Sequence, residues 1–174
     1  MQALAFWKQI VMDQTDFLER LLRCLNDHQI PYCVIGGQGV NAYAEPVVSL
    51  DLDLVVAVEK LDKAKAILSN EFDIQTFPHS LNISAPGSDL RVQVQTDPRY
   101  TSFLERASHQ EVLGLVLPVA AVSDILQGKL WAVQDAGRRP SKRQKDLADI
   151  ARLLEAYPDL RSQIPAEILA RLVW

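Results

Sequence analysis

Thiol, imidazole and zinc chemistry have little to work with in this chain of 174 residues, which carries two cysteines and three histidines. Cys24 falls on a helical pattern and Cys33 inside an apolar run, and neither belongs to a metal-binding pair. Both read as small buried apolar side chains in a reducing compartment rather than as a bridge. His28, His79 and His109 lie far apart with no partner at ligand spacing, so each reads as a surface or capping residue and no histidine-based mechanism follows. There is no nucleophile elbow and no Walker lysine. No run of eighteen apolar residues occurs, and the apolar stretch near the start is too short and too charged for a signal peptide. A soluble cytoplasmic protein without membrane contact is therefore expected. Charge of one sign is also scarce: the formal net charge is -4, which gives no overall pull toward nucleic acid or anionic lipid. Linkers, low-complexity tracts and internal repeats are absent.

What remains is a chain of ordinary globular composition, 48% hydrophobic, long enough for one domain to bury about 70% of its unfolded surface without disulfides. Phe17, Leu18, Leu21, Leu22 and Leu25 recur at helical spacing and predict an amphipathic helix over 15–28, with Pro31 blocking its continuation. Tyr32 to Ile35 reads as a short buried strand, and Leu50 to Val58 as a second. Leu61, Ala64, Ile67 and Leu68 mark another helix. Short strands are expected at 72–76, 80–84, 90–96, 109–113 and 115–118. From Ala120 the period changes from two to 3.6, with one stripe through Val122, Ile125, Leu126, Leu130 and Val133 and another through Leu147, Ile150, Leu153 and Leu154. The chain thus closes as helices packed beside a sheet.

The chemistry concentrates in Ile35-Gly36-Gly37 followed, after thirteen residues, by Asp51-Leu52-Asp53-Leu54. A glycine pair at the end of a strand lets backbone N–H groups approach an anion, and a helix opening there adds a favourable dipole. Asp51 and Asp53 share one face of their strand, about 7 Å apart at two residues' rise, and a divalent cation is the simplest way to keep both ionised. Oxygen ligands and phosphates suit Mg²⁺ or Mn²⁺. A lone Asp-x-Asp is uninformative, and a solvated acidic strand edge is its bland reading. The upstream glycine turn, together with the poor strand propensity of Asp, favours a site.

At these residues the chain resembles the bacterial nucleotidyltransferase superfamily with the DNA polymerase beta-like fold, especially its small uncharacterised and toxin-type members. A second resemblance runs through Lys129-Leu130-Trp131-Ala132 and Lys145-Asp146-Leu147-Ala148-Asp149-Ile150, so that the likeness covers most of residues 32–157. It implies an α+β (mixed α/β) fold, a mixed sheet flanked by helices with a helical C-terminal part. It also implies a single domain over 1–174, with a sheet-containing catalytic core at 1–119 and a helical subregion at 120–174. It further implies a metal-dependent transfer of a nucleoside monophosphate from a triphosphate to a hydroxyl of a protein, an RNA or a small molecule. Asp51 and Asp53 would be the Mg²⁺ or Mn²⁺ ligands. Gly36, Gly37 and Ser49 would lie at the nucleotide, Lys129 would reach a phosphate, and Lys145 with Asp146 would sit at the mouth of the cleft. A partner in the manner of an antitoxin, or a second copy of the chain, is a further implication.

The departures bear on catalysis. Relatives place a third carboxylate on a later strand, where this chain has Leu90-Arg91-Val92-Gln93-Val94-Gln95. Gln93 is the expected occupant, with Asp89 and Asp97 sharing its parity at the strand ends, and an amide can ligate a metal but not act as a base. A nucleotide-binding or protein-interaction module without turnover is the alternative, or one component of a toxin and antitoxin pair. The densest charge cluster, Arg138, Arg139, Lys142, Arg143 and Lys145, reads as a helix start capped by Ser141 with Gln144, or as a polyanion grip, because cations in a first helical turn oppose the macrodipole. Trp131 lies in an apolar stripe and reads as core more than as a base-stacking platform. Trp7 and Trp174 are expected to cover core or a partner.

Overall fold

The computed structural model describes residues 17–172; Trp7, Trp174 and the expected helix start at Thr15 lie outside them. Helix α1 (Phe17–Asp27) buries its leucine stripe and ends where His28 Nδ1 donates to the Cys24 carbonyl at 2.8 Å. Strand β1 (Tyr32–Ile35) is buried throughout and passes directly into helix α2 (Gly36–Tyr43). Strand β2 (Asp51–Val56) carries the acidic pair and leads to helix α3 (Leu61–Leu68). Three strands follow, β3 (Asp73–Phe77), β4 (Ser80–Ser84) and β5 (Arg91–Gln95), then the hairpin β6 (Ser108–Val112) and β7 (Leu115–Val119). Helices α4 (Val122–Gln134), α5 (Pro140–Ala156) and the short α6 (Ala166–Leu169) complete the described chain.

The strands form one seven-stranded mixed sheet in the order β3-β4-β5-β2-β1-β7-β6. Pairs β2–β5 and β1–β7 are parallel and the others antiparallel. Alternation sets what each face does. Leu52 and Leu54 on β2 and Val92 and Val94 on β5 are buried, whereas Asp51, Asp53, Arg91 and Gln93 point to the other face, where α2, α4 and α5 gather. The buried apolar side chains form one cluster that runs from Phe17 to Leu172 and joins the helices after 120 to the sheet.

The expected strands and helices are all present, with ends shifted by a residue or two. The 3₁₀ turns at Pro98–Phe103 and Pro158–Gln163 and the helix α6 are additions that periodicity did not reveal. One capping expectation is corrected. Helix α5 starts at Pro140, whose fixed φ suits the first helical position, so its N-cap is Arg139 and Ser141 already lies inside the first turn without capping it. Cys24 and Cys33 are both buried free thiols, and burial pushes the Cys33 pKa up to about 12, which leaves it inert as a nucleophile.

Candidate active site

Between the open sheet face and helices α2, α4 and α5 lies a cleft of about 520 Å³. It brings together Gly36, Gly37, Ser49, Asp51, Asp53 and Gln93, and from the helices Lys129, Lys142, Lys145 and Asp146. Gly36 closes β1 with φ +65°, a left-handed conformation that costs any other residue about 1–2 kcal/mol. A Cβ there would also collide with Asp53 Oδ2, whereas one on Gly37 would meet open space. The two glycines therefore differ: the first is required by the close approach of backbone to carboxylate, the second only leaves room. Gly36→Ala is expected to weaken triphosphate binding at least about tenfold and to lower the melting temperature, while Gly37→Ser leaves stability within about 0.5 kcal/mol; calorimetry and thermal melts of the two variants check this.

No side chain caps the N-terminus of α2, whose first residues Gly36 and Gly37 line the cleft. The loop that carries the chain from α2 to β2 is fixed by side chains. Asn41 Nδ2 donates to the Val47 carbonyl at 2.8 Å, and the Val47 N–H donates back to Asn41 Oδ1 at 2.9 Å. Buried Gln38 donates to the Ser49 carbonyl, and Ser49 Oγ accepts from the Asp51 N–H at 3.2 Å. Ser49 thus sits at the cleft and sets the entry of β2.

The two aspartates differ electrostatically. Asp51 meets the Arg91 guanidinium at 2.7 Å, its register partner on β5, and Lys142 Nζ lies 4.0 Å from its other oxygen. Asp53 makes no ion pair or side-chain hydrogen bond among the described residues. Part of its surface opens to the cleft and protein encloses the rest. Burial pushes its pKa above the usual carboxylate range; Lys129 pulls it back, the Asp51 charge raises it further, and Lys145 and Arg138 lower it. Beside it in register stands Gln93, the expected occupant of the third position. Asp97 instead accepts from the Arg99 backbone N–H and Nε, both at 2.9 Å, and neither it nor Asp89 lines the cleft.

Among the described residues no group of three or more His, Cys, Asp and Glu side chains could hold a metal, so a cation here would draw on two carboxylates. The residues fit one. Asp53 is a desolvated, unpaired carboxylate that a cation would compensate, Asp51 shares its strand face, and Gln93, in register with Asp53, carries an amide oxygen of the kind that would serve as a neutral ligand.

One expectation is corrected at the helical wall. Asp146 is only 1% exposed and lines the cleft from a buried position rather than at its mouth, held by Lys129 Nζ at 3.1 Å and by Arg138 at 2.8 Å. Lys129 is itself buried and also meets Asp149 at 2.7 Å. Desolvation lowers its pKa, but the two carboxylates more than reverse this and hold it protonated. Its ammonium is committed to tying α4 to α5, and a phosphate would have to compete with both acids. The physical reason is spacing: Asp146 and Asp149 are three apart on α5 and share its inner face. Of the basic cluster, Arg138 serves Asp146 and Arg143 serves the Asp135 and Arg138 carbonyls, which leaves Lys142 and Lys145 at the cleft.

Sequence reasoning missed the aromatic wall. Tyr100 and Phe103, on the 3₁₀ turn after β5, line the cleft, and the Phe103 ring stacks on Trp131 at 5.8 Å with a 7° interplanar angle. Arg99 covers the Trp131 ring at 4.7 Å, so Trp131 packs as a half-buried support rather than presenting a free face. An aromatic pair spaced three apart after a strand was the available signal.

Solved structures of similar shape carry the comparison. The chain superposes on ANT(2'')-Ia in complex with adenylyl-2''-tobramycin with a TM-score of 0.64 and 12% identity, over 91% of this chain and 98% of that one. The fold is that of the nucleotidyltransferases. The lincosamide antibiotic adenylyltransferase LnuA, lincomycin-bound, has the same nucleotidyltransferase fold with a TM-score of 0.53 and 12% identity, over 78% of this chain and 95% of that one. An antigenic nucleotidyltransferase-like protein from Paracoccidioides brasiliensis gives 0.53 and 16%, over 96% and 93%. No protein-family model and no curated protein matches the sequence. No helix of the described residues is long and apolar enough to cross a membrane.

Proposed function

We propose that this chain is a metal-dependent nucleotidyltransferase that moves a nucleoside monophosphate from a triphosphate to a hydroxyl. The observation that carries the reading is the unpaired, desolvated Asp53 set against the bare backbone of Gly36, with Asp51 on the same strand face. Asp51, Asp53 and Gln93 would hold Mg²⁺ or Mn²⁺, which when bound neutralises phosphate charge and acidifies the attacking hydroxyl. The chain's own groups do the rest. The α2 N–H groups at Gly36 and Gly37 and the Lys142 and Lys145 ammonium groups bind the leaving pyrophosphate, and Tyr100 and Phe103 wall off one side from water. The new bond joins the acceptor oxygen to the α-phosphorus, the bond from that phosphorus to the pyrophosphate oxygen breaks, and the hydroxyl proton passes to solvent. The test is incubation with α-labelled nucleoside triphosphates and cell extract. Label transfer and pyrophosphate release are expected from the wild type and not from Asp51→Ala, Asp53→Ala; transfer that survives in the double variant overturns the assignment.

The Asp51–Arg91 ion pair favours a second reading, a module that binds nucleotide without turnover, because an internal cation already satisfies one of the two acids. It predicts calorimetric triphosphate binding with no pyrophosphate release in Mg²⁺ or Mn²⁺. On either reading Arg91→Ala removes a competing positive charge, and Mn²⁺ affinity measured by electron paramagnetic resonance is expected to rise several-fold. An unchanged affinity would mean that Asp51 takes no part in cation binding.

A further inference from the structure

One wall of the cleft runs outward from the nucleotide site, starting at Gln93. Gln93 stands in register with Asp53, Asn82 with Gln93, and Gln75 with Asn82, so three amides form a single transverse row across β5, β4 and β3 that ends on the acidic pair. Register partners share a sheet face, and at about 4.8 Å per strand the row runs roughly 14 Å outward from Asp53. All three line the cleft and are exposed, and none of their side-chain amides hydrogen-bonds to another described residue. Gln95, two residues further along β5, differs: its Oε1 accepts from the Thr96 and Asp97 N–H groups. Asn is depleted in strands, so the row is not what strand propensity alone would select.

From this row we infer that the acceptor is an uncharged, polyhydroxylated small molecule of sugar type, laid along Gln75, Asn82 and Gln93 with one hydroxyl at the Asp53 end. The inference rests on the nucleotidyl-transfer reading and adds the acceptor to it. Each amide offers both donors and an acceptor, which is the complement of a hydroxyl, itself both donor and acceptor. The charge pattern excludes the other classes. A polycation would find no carboxylate along the row and would meet Arg91, Lys142 and Lys145 around the acids. A nucleic-acid chain would find no cation along the row itself to follow its phosphates. A length of about 14 Å suits one to three sugar rings.

The test uses the labelled full chain without nucleotide. Neutral mono- to trisaccharides, tobramycin as a polycation and a short RNA with a free 3′-hydroxyl are titrated while the side-chain NH₂ resonances of Gln75, Asn82 and Gln93 are followed. At least one neutral saccharide is expected to shift all three resonances, with Gln75→Ala, Asn82→Ala weakening it about tenfold and leaving triphosphate affinity within twofold. Gln75→Glu, Asn82→Asp keeps the surface polar and is expected to turn the preference toward tobramycin. Absence of binding by every neutral saccharide, or tighter binding of tobramycin or RNA by the wild-type chain, overturns the inference. Triphosphate binding is measured separately, so its loss together with retained saccharide binding would overturn the transfer reading instead.

Discussion

Asp53→Asn is expected to reduce nucleotidyl transfer by roughly 10³-fold and, in the same molecule, to raise the melting temperature of the metal-free protein. The two effects have one cause. Desolvation lifts the pKa of Asp53 in the folded protein above its unfolded value, so ionising it costs more in the fold than in the unfolded chain. Between the two pKa values the folded state binds more protons than the unfolded one, and stability falls as pH rises through that window. Above it the full cost remains. An amide of the same shape removes the cost, at about 2–4 °C per kcal/mol for a chain of this size, and also removes the charge on which a cation depends. The expected signature is a higher melting temperature at pH 7 for Asp53→Asn than for the wild type, a smaller difference near pH 4, and reversal of the order when Mn²⁺ stabilises only the wild type. A melting temperature that falls at neutral pH would place Asp53 in an ion pair and not in a strained site.

Lys129→Ala is the change with the largest expected loss of stability, about 3 kcal/mol, read as a fall in melting temperature of roughly 6–12 °C. Its ammonium is the shared partner of Asp146 and Asp149, both at most 3% exposed, and removing it leaves two buried carboxylates undercompensated. Arg138 continues to serve Asp146 and Arg152 serves Asp149 at 2.8 Å, which keeps the loss at the lower end for a broken buried pair. Lys129→Met restores the volume and not the charge and is expected to lose nearly as much. Combining it with Asp146→Asn and Asp149→Asn should recover most of the stability. If Lys129→Ala melts within 2 °C of the wild type, the network is not what joins α4 to α5.

These cases mark what periodicity carries. The alternation of Leu52 and Leu54 with Asp51 and Asp53 was enough to put both acids on one face, and the Gly36-Gly37 pair to end β1 where α2 begins. Spacing along one helix was also sufficient, in principle, for the Asp146 and Asp149 pair. Cross-strand register was not. That Arg91 lies against Asp51, or that Gln75, Asn82 and Gln93 form a row, depends on how strands far apart in sequence align, and no local pattern encodes it. For the same reason the ion pairs of Lys129 are not legible: a lone lysine on an apolar helix gives no sign of the two acids that meet it on α5. The Ser141 cap failed for a local reason, since Pro140 at the first helical position competes for the same helix start and wins.

The central claim is that Asp51 and Asp53, facing the backbone of Gly36 and Gly37, clasp a divalent cation together with a triphosphate. Its most direct measurement is Mn²⁺ binding by electron paramagnetic resonance in the presence and absence of a non-hydrolysable triphosphate, for the wild type and for Asp51→Ala, Asp53→Ala. Tight binding in the wild type, strengthened by the triphosphate and lost in the double variant, is the result predicted. Equal Mn²⁺ and triphosphate affinity in both proteins would contradict it.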